Sequence, residues 1–277
     1  MKDCKIAFIG GGNMARSLIG GLIADGFPSQ HLHASDPEST HLDKLKSAYS
    51  IQTFTDNIAA INGCDVIILA VKPQQLQSVV KQLAPHWQIN SLLISIAAGI
   101  RLDDIARWLE QDSAALVRAM PNTPALVQAG ATALCANENV SNHQHELAES
   151  ILRSVGLALW IDDEAKIDAV TALSGSGPAY FFLVMEAMEK AAIELGLEPE
   201  TARLLCIQTA FGSAKMALES DAPAALLRQQ VTSPGGTTER ALHELEDGDL
   251  RGLFENALVA AALRSRELAI QLGEDDA

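Results

Sequence analysis

Ile6-Ala7-Phe8-Ile9-Gly10-Gly11-Gly12-Asn13-Met14-Ala15 decides the fold. Four apolar residues read as a short buried strand, the glycines as a tight turn, and the apolar period over residues 13–24 as the helix that the turn opens. The spacing is GxGxxA. Gly10 permits the turn, Gly12 lets a pyrophosphate reach bare backbone at a helix N-terminus, and Ala15 lets helix and strand pack closely. An acidic residue, Asp36 in Ala34-Ser35-Asp36-Pro37, ends the second strand and completes a dinucleotide-binding pattern. A carboxylate there suits a ribose 2′-hydroxyl and repels a 2′-phosphate. Ser35 and the backbone around Pro37 could host that phosphate if Asp36 turned outward, so both NADPH and NADH stay open.

Working outward, short β-branched or apolar runs alternate with helical patterns as far as Asp162. Strands are expected over residues 5–9, 31–35, 65–71, 91–96, 115–119, 131–135 and 157–161, with a weaker one over 51–54. The alternation predicts βαβ units and a mainly parallel Rossmann-type sheet. Val66-Ile67-Ile68-Leu69-Ala70-Val71 is apolar throughout, as expected of a strand covered on both faces. Beyond Asp162 the texture turns to Ala, Leu and Glu/Arg-rich helical periodicity. Residues 1–162 are therefore expected to form a dinucleotide-binding α/β domain, and 163–277 an all-helical dimerisation and substrate-binding domain.

Composition narrows the function. A chain of 277 residues with 48% apolar residues can bury a large interior in two domains. Its net charge of −15 argues against nucleic-acid and anionic-membrane partners, so an anionic ligand must be held by local donors. Cys4, Cys64, Cys135 and Cys206 are scattered without a CxxC pair, which indicates neither a metal site nor a disulfide framework. The chain enters its first strand at once rather than through a signal-peptide pattern, and no uninterrupted apolar run reaches the length of a membrane span. It reads as cytoplasmic.

Three segments at expected strand ends could wall a nucleotide site: Ala70-Val71-Lys72-Pro73, Ser95-Ile96-Ala97-Ala98-Gly99 and Met120-Pro121-Asn122-Thr123-Pro124. Ala97 and Ala98 could lie against a nicotinamide ring. Lys72 could serve an anion or be a solvated lysine beside a proline turn. Asn57, after Thr55-Asp56, could reach the adenosine side or cap its own helix. His143-Gln144-His145 lacks partners at metal spacing and reads as surface. No arrangement for nucleophilic hydrolysis stands in convincing context.

In the second half, residues 178–195 are apolar on nearly all sides at first, which in so small a domain suggests burial against a partner subunit. A final helix over 249–272 carries a stripe from Leu250 to Leu272 and ends at Gly273 and an acidic tail. Two loops open helices. Ser174-Gly175-Ser176-Gly177-Pro178-Ala179-Tyr180 has no lysine one turn on. Ser233-Pro234-Gly235-Gly236-Thr237-Thr238 places a stiffened turn, bare backbone and hydroxyls at a helix start, where unpaired N–H groups and the helix dipole attract a carboxylate or phosphate. Thr237 or Thr238 can cap that helix.

GxGxxA, AVKP, SIAAG, MPNTP, SGSGPAY and SPGGTT, in this order over nearly the whole chain, resemble pyrroline-5-carboxylate reductases. The resemblance implies a Rossmann domain followed by a helical domain that intertwines into a homodimer, sometimes assembled further into a decamer, and reduction of a cyclic imino acid to proline by NADPH or NADH. It implies cofactor contacts at Ile9, Gly10, Gly11, Gly12, Asn13, Met14, Ser35, Asn57, Ala70, Val71, Lys72, Pro73, Ala97 and Ala98, with Asp36 and Pro37 beside them. Thr238 would meet the substrate ring nitrogen as the catalytic side chain. The backbone of Ser233, Pro234, Gly235, Gly236, Thr237 and Thr238 would cradle the carboxylate, in agreement with the reading of that loop. Two alternatives share the architecture. A β-hydroxyacid-type NAD-dependent dehydrogenase would place a lysine a few residues after Gly177, and a non-catalytic nucleotide-sensing module would not need the intact SPGGTT loop.

Overall fold

The computed structural model describes residues 4–274. The chain start and the end of the acidic tail lie outside the described residues. Eight strands, β1 Ile6–Ile9, β2 Leu32–Ser35, β3 Gln52–Phe54, β4 Val66–Leu69, β5 Leu92–Ser95, β6 Ala115–Met120, β7 Gly130–Ala136 and β8 Gly156–Trp160, form one sheet in the order β3-β2-β1-β4-β5-β6-β7-β8. Strands β1 to β6 pair parallel, β7 runs antiparallel to β6, and β8 is parallel to β7. The order reverses beside β1, between it and β4, which makes the switch point at which open α/β sheets bind ligands.

The helices are α1 Asn13–Ala24, α2 Ser39–Tyr49, α3 Asn57–Ile61, α4 Pro73–Leu83, α5 Leu102–Leu109, α6 Asn142–Arg153, α7 Ile167–Val170, α8 Gly177–Glu194, α9 Pro199–Glu219, α10 Ala224–Gln230, α11 Thr237–Asp247 and α12 Leu250–Gly273. Alternation along the strands builds two cores. Ile6, Phe8, Val66 and Ile68 face α1 and α6 through Leu18, Leu22 and Ile151, whereas Ala7, Ile9, Ile67 and Leu69 face α4 and α5 through Leu76, Val80 and Trp108. Both faces are covered, which is why these strands read as unbroken apolar runs.

The chain divides into two compact units, one running up to Ser176 and taking in the chain from Ala260 onward, the other Gly177–Val259. The helical texture begins near the expected border, but α7 and the end of α12 belong to the sheet-bearing unit. Asp168 ties them together there, accepting hydrogen bonds from Ser265 Oγ at 2.7 Å and Arg266 Nε at 3.3 Å. Glu164, just before α7, accepts from Arg118 Nη1 at 2.8 Å and from the Leu102 N–H at 2.9 Å. Arg118 is the lone charge in β6, and burial without that carboxylate would be costly.

In the second unit α8 packs against α9, yet Phe181, Phe182 and Leu183 are 67%, 63% and 65% exposed within the single chain. The expected all-round burial is therefore not achieved by this chain alone. The continuous helical stretch Glu164–Glu194 is also long and apolar enough, by length and composition, to cross a membrane. That measure averages small and apolar residues over a window and differs from the uninterrupted apolar run considered in the sequence, which this stretch does not contain.

Candidate active site

Backbone geometry at the end of β1 follows from its glycines. Gly10 has φ +104°, and a Cβ there would lie 2.6 Å from the Ala70 carbonyl oxygen, so a side chain would clash where the loops after β1 and β4 meet. Gly10 N–H donates to Ser35 O and Ala70 N–H to Ile9 O, each at 2.8 Å. These bonds bring Ile9 to Gly12, Ser35 to Pro37 and Ala70 to Pro73 to one edge of the sheet. Gly12 is the N-cap of α1 without a side-chain cap, and a Cβ on it would meet nothing within 4 Å. The first intrahelical bond of α1 runs from Arg16 N–H to Gly12 O, leaving the N–H groups of Asn13, Met14 and Ala15 for a ligand. Open space above free amides at a helix start fits a dinucleotide pyrophosphate.

The end of β2 departs from expectation. Asp36 is buried, its Oδ2 accepting from Gly11 N–H at 2.7 Å and lying 3.1 Å from His41 Nδ1, its Oδ1 accepting from Glu38 N–H at 2.8 Å. Burial opposes its charge, but the backbone N–H groups of Glu38 and Gly11 and the His41 ring outweigh that and hold the carboxyl below its ordinary range. The carboxylate braces the glycine turn. Ser35 is fully buried and donates to Asn57 Oδ1 at 2.7 Å, which corrects its reading as a host for a phosphate. Pro37 is exposed at the mouth.

Asn57 does not cap α3. Asp56 does, accepting from Ile58 and Ala59 N–H, while Asn57 links Ser35 to Gln82 Oε1. Lys72 is exposed at the N-cap of α4, with Pro73 in the first turn. Of the two alanines after β5, Ala97 is buried and Ala98 exposed, so Ala98 is the one able to face a ring.

At the end of β6, Asn122 Oδ1 accepts from Ala131 N–H at 2.8 Å and Nδ2 donates to Ser174 O at 3.0 Å. The turn it holds, Thr171–Gly175, is a π-helix closed by Ser176 N–H on Thr171 O at 2.8 Å. Thr171 and Ser174 hydroxyls donate back to Ile167 O and Val170 O, the kind of bond that bends a helix.

In the second unit, the turn before α11 is set by Gly235 at φ +72° and by Gly236 N–H on Ser233 O at 3.0 Å. Gly236 is the N-cap, so neither Thr237 nor Thr238 caps the helix as expected; they are its first two residues and both are exposed. Gly235 N–H donates to Glu239 Oε2 at 2.7 Å, and Arg240 N–H to Gly236 O at 3.2 Å. Within the loop from Ser233 to Thr238 the Gly235 and Gly236 amides are therefore engaged, and those of Ser233, Thr237 and Thr238 are left for a ligand, with that of Glu239 behind the last two.

Burial pushes the Cys64 thiol up to about 11 and raises that of Cys135, where Glu164 adds to the effect. Among the described residues no group of three or more His, Cys, Asp or Glu could hold a metal. Gln144 closes a capping box with Ser141 at the start of α6, and the ring of His145 lies 3.9 Å from that of Trp160.

A Rossmann sheet whose switch point carries free amides above an unobstructed glycine, in a chain that continues into a helical domain, defines a nicotinamide-dinucleotide oxidoreductase. Comparison with known proteins agrees: residues 5–99 match a family model described as NADP oxidoreductase, coenzyme F420-dependent, and residues 164–268 one described as pyrroline-5-carboxylate reductase dimerisation. The chain is 51% identical over 274 residues to a pyrroline-5-carboxylate reductase of Pseudomonas aeruginosa, covering 99% of this chain and 100% of that one. A solved reductase from Coxiella burnetii superposes with TM-score 0.92 at 48% identity, covering 96% of this chain and 98% of the other. One from Plasmodium falciparum, with NADP bound, does so with TM-score 0.86 at 31% identity, covering 97% and 99%. The chain belongs to the pyrroline-5-carboxylate reductase family.

Proposed function

We propose that the protein reduces 1-pyrroline-5-carboxylate to L-proline, the last step of proline biosynthesis, with NADPH or NADH supplying the hydride to the imine carbon. The work of the chain is holding and alignment. The amides of Asn13, Met14 and Ala15 hold the pyrophosphate, Pro37 and Asn57 border the adenosine side, and the segment Ala70 to Pro73 with Ala98 walls the nicotinamide side. The amides of Thr237 and Thr238 hold the substrate carboxylate, and the Thr238 hydroxyl meets the ring nitrogen. A protonated cyclic imine is already electrophilic, so proximity and orientation suffice without an acid–base pair.

The observation that carries this reading is the uncapped start of α11, whose exposed amides and hydroxyls directly follow the Ser233–Gly236 turn. Residues 163–277 act as the dimerisation and substrate-binding half. The exposed Phe181, Phe182 and Leu183 support a homodimer, since burying such side chains contributes roughly 1.5–3 kcal/mol each; assembly of dimers into a decamer is a further step to be read from particle mass. The cysteines, scattered without a CxxC pair, and the acidic charge support a cytoplasmic setting.

The test is loss of absorbance at the reduced-nicotinamide band when the purified protein meets 1-pyrroline-5-carboxylate with NADPH and, separately, NADH. Turnover is expected. Silence with both, alongside measured nucleotide binding, would move the assignment to a hydroxy-acid dehydrogenase or a sensing module.

A further inference from the structure

We propose that Glu239 is a positioning and specificity residue of the SPGGTT loop, shaping it for a singly charged carboxylate and against doubly charged anions. The proposal rests on reading that loop as the substrate cradle.

Glu239 is the third residue of α11, where a glutamate of a capping box ordinarily reaches back to the N-cap N–H. Here Gly236 N–H is already taken by Ser233 O, and the carboxylate reaches one residue further, to Gly235 N–H at 2.7 Å. Two consequences follow. Gly235 is held at φ +72°, the bend that turns the chain into α11. The bond also places a full negative charge at the rim of the cradle, two residues from Thr237 and one from Thr238. Its repulsion scales with ligand charge, so a dianion such as sulfate pays twice what a monocarboxylate pays. The helix start attracts anions, and Glu239 sets which ones it keeps.

A structural role alone predicts something different. A glutamate near a helix N-terminus stabilises the helix through its dipole whatever the ligand, and its removal would change folding without altering the ranking of anions.

The experiment compares wild type, Glu239→Gln and Glu239→Ala, following the amide resonances of Thr237 and Thr238 during titration with sulfate and with acetate at low ionic strength, alongside steady-state kinetics. Gln retains an acceptor for Gly235 and removes the charge. Sulfate affinity is expected to rise about tenfold in Glu239→Gln and acetate affinity about threefold. In Glu239→Ala the KM for the imino acid rises several-fold, Gln restores it, and the KM for NADPH stays put in both. An unchanged ratio of sulfate to acetate affinity would overturn the proposal, as would equal kinetic defects in Gln and Ala. A wild type that binds these anions but does not reduce the imine would instead sink the assigned reaction, with the affinity ratio still deciding the role of Glu239.

Discussion

The carboxylate of Asp36 accepts a hydrogen bond from Gly11 N–H at 2.7 Å, joining the end of β2 to the glycine turn that follows β1. Each strand brings one partner. Two further donors, Glu38 N–H and His41, occupy the same carboxylate. Asp36 is therefore expected to act on a cofactor through the shape of the turn.

Asp36→Ser is expected to weaken NADPH and NADH binding together, by about tenfold, the scale of one lost charged hydrogen bond at ~1.5 kcal/mol. A large change in the ratio of the two affinities, measured by fluorescence titration, would show that the carboxylate faces the ribose after all.

The same bonds set a pH dependence. Because the folded-state pKa of Asp36 lies below its ordinary 3.8, its contribution is complete above that value and is lost as pH falls through the depressed one. Urea unfolding between neutral pH and pH 3 is expected to show a shallower acid loss in Asp36→Asn than in wild type. Parallel curves would remove Asp36 from the acid limb.

Gly10 and Gly12 make a matched pair of tests. Gly12→Val adds a side chain where a Cβ meets nothing within 4 Å, so Tm should hold while dinucleotide affinity falls at least tenfold. Gly10→Ala forces a left-handed backbone and a contact of 2.6 Å with the Ala70 carbonyl oxygen, and should cost more than about 2 kcal/mol of stability. Retained nucleotide affinity in Gly12→Val would contradict the pyrophosphate site.

The Rossmann half is legible because its signals are local: alternation along β1, an unbroken apolar β4, and glycines between strand and helix. What sequence hides is convergence. Asp36 carries no mark of its three donors, because Gly11 reaches it from the turn after β1 and His41 from the first turn of α2. Asn57 reads as a cap in sequence, yet Asp56 takes that place by accepting from Ile58 and Ala59 N–H, while Ser35, arriving from β2, engages Asn57. Gly236 rather than a threonine caps α11 because the turn at Gly235 ends one residue early, and Asn122 gives no hint of bridging β7 to the turn at Ser174. The return of α12 to the sheet-bearing unit is invisible for a different reason: its residues keep one helical texture throughout, and the hold comes from Asp168, far away in the chain. A charge within an apolar strand demands a partner, and Arg118 finds one in Glu164.

Thr238 lies at the start of α11, exposed and outside any cap, so its hydroxyl is available to a substrate. Thr238→Ala is expected to lower kcat/KM for the imino acid by about ten- to hundredfold, the range of a hydrogen bond to a charged group at roughly 1.5–3 kcal/mol. The Kd for NADPH should be unchanged. Equal kinetics in wild type and variant would take Thr238 out of the mechanism.

The exposed face of α8 offers a test that leaves the monomer fold intact. Phe181 and Phe182 are 67% and 63% exposed in the single chain, so replacing them costs the monomer little packing. In a two-fold dimer each substitution counts once on either side of the interface. Phe181→Asp with Phe182→Asp removes apolar burial worth roughly 1.5–3 kcal/mol for each side chain and adds charges to the face. The dimer Kd should rise by at least two orders of magnitude in sedimentation velocity over a concentration series, with the helical circular dichroism of the monomer retained. An unaltered sedimentation coefficient at low concentration would show that this face is not the one that pairs, and the apolar side chains of α9 and α12 would then have to carry the interface.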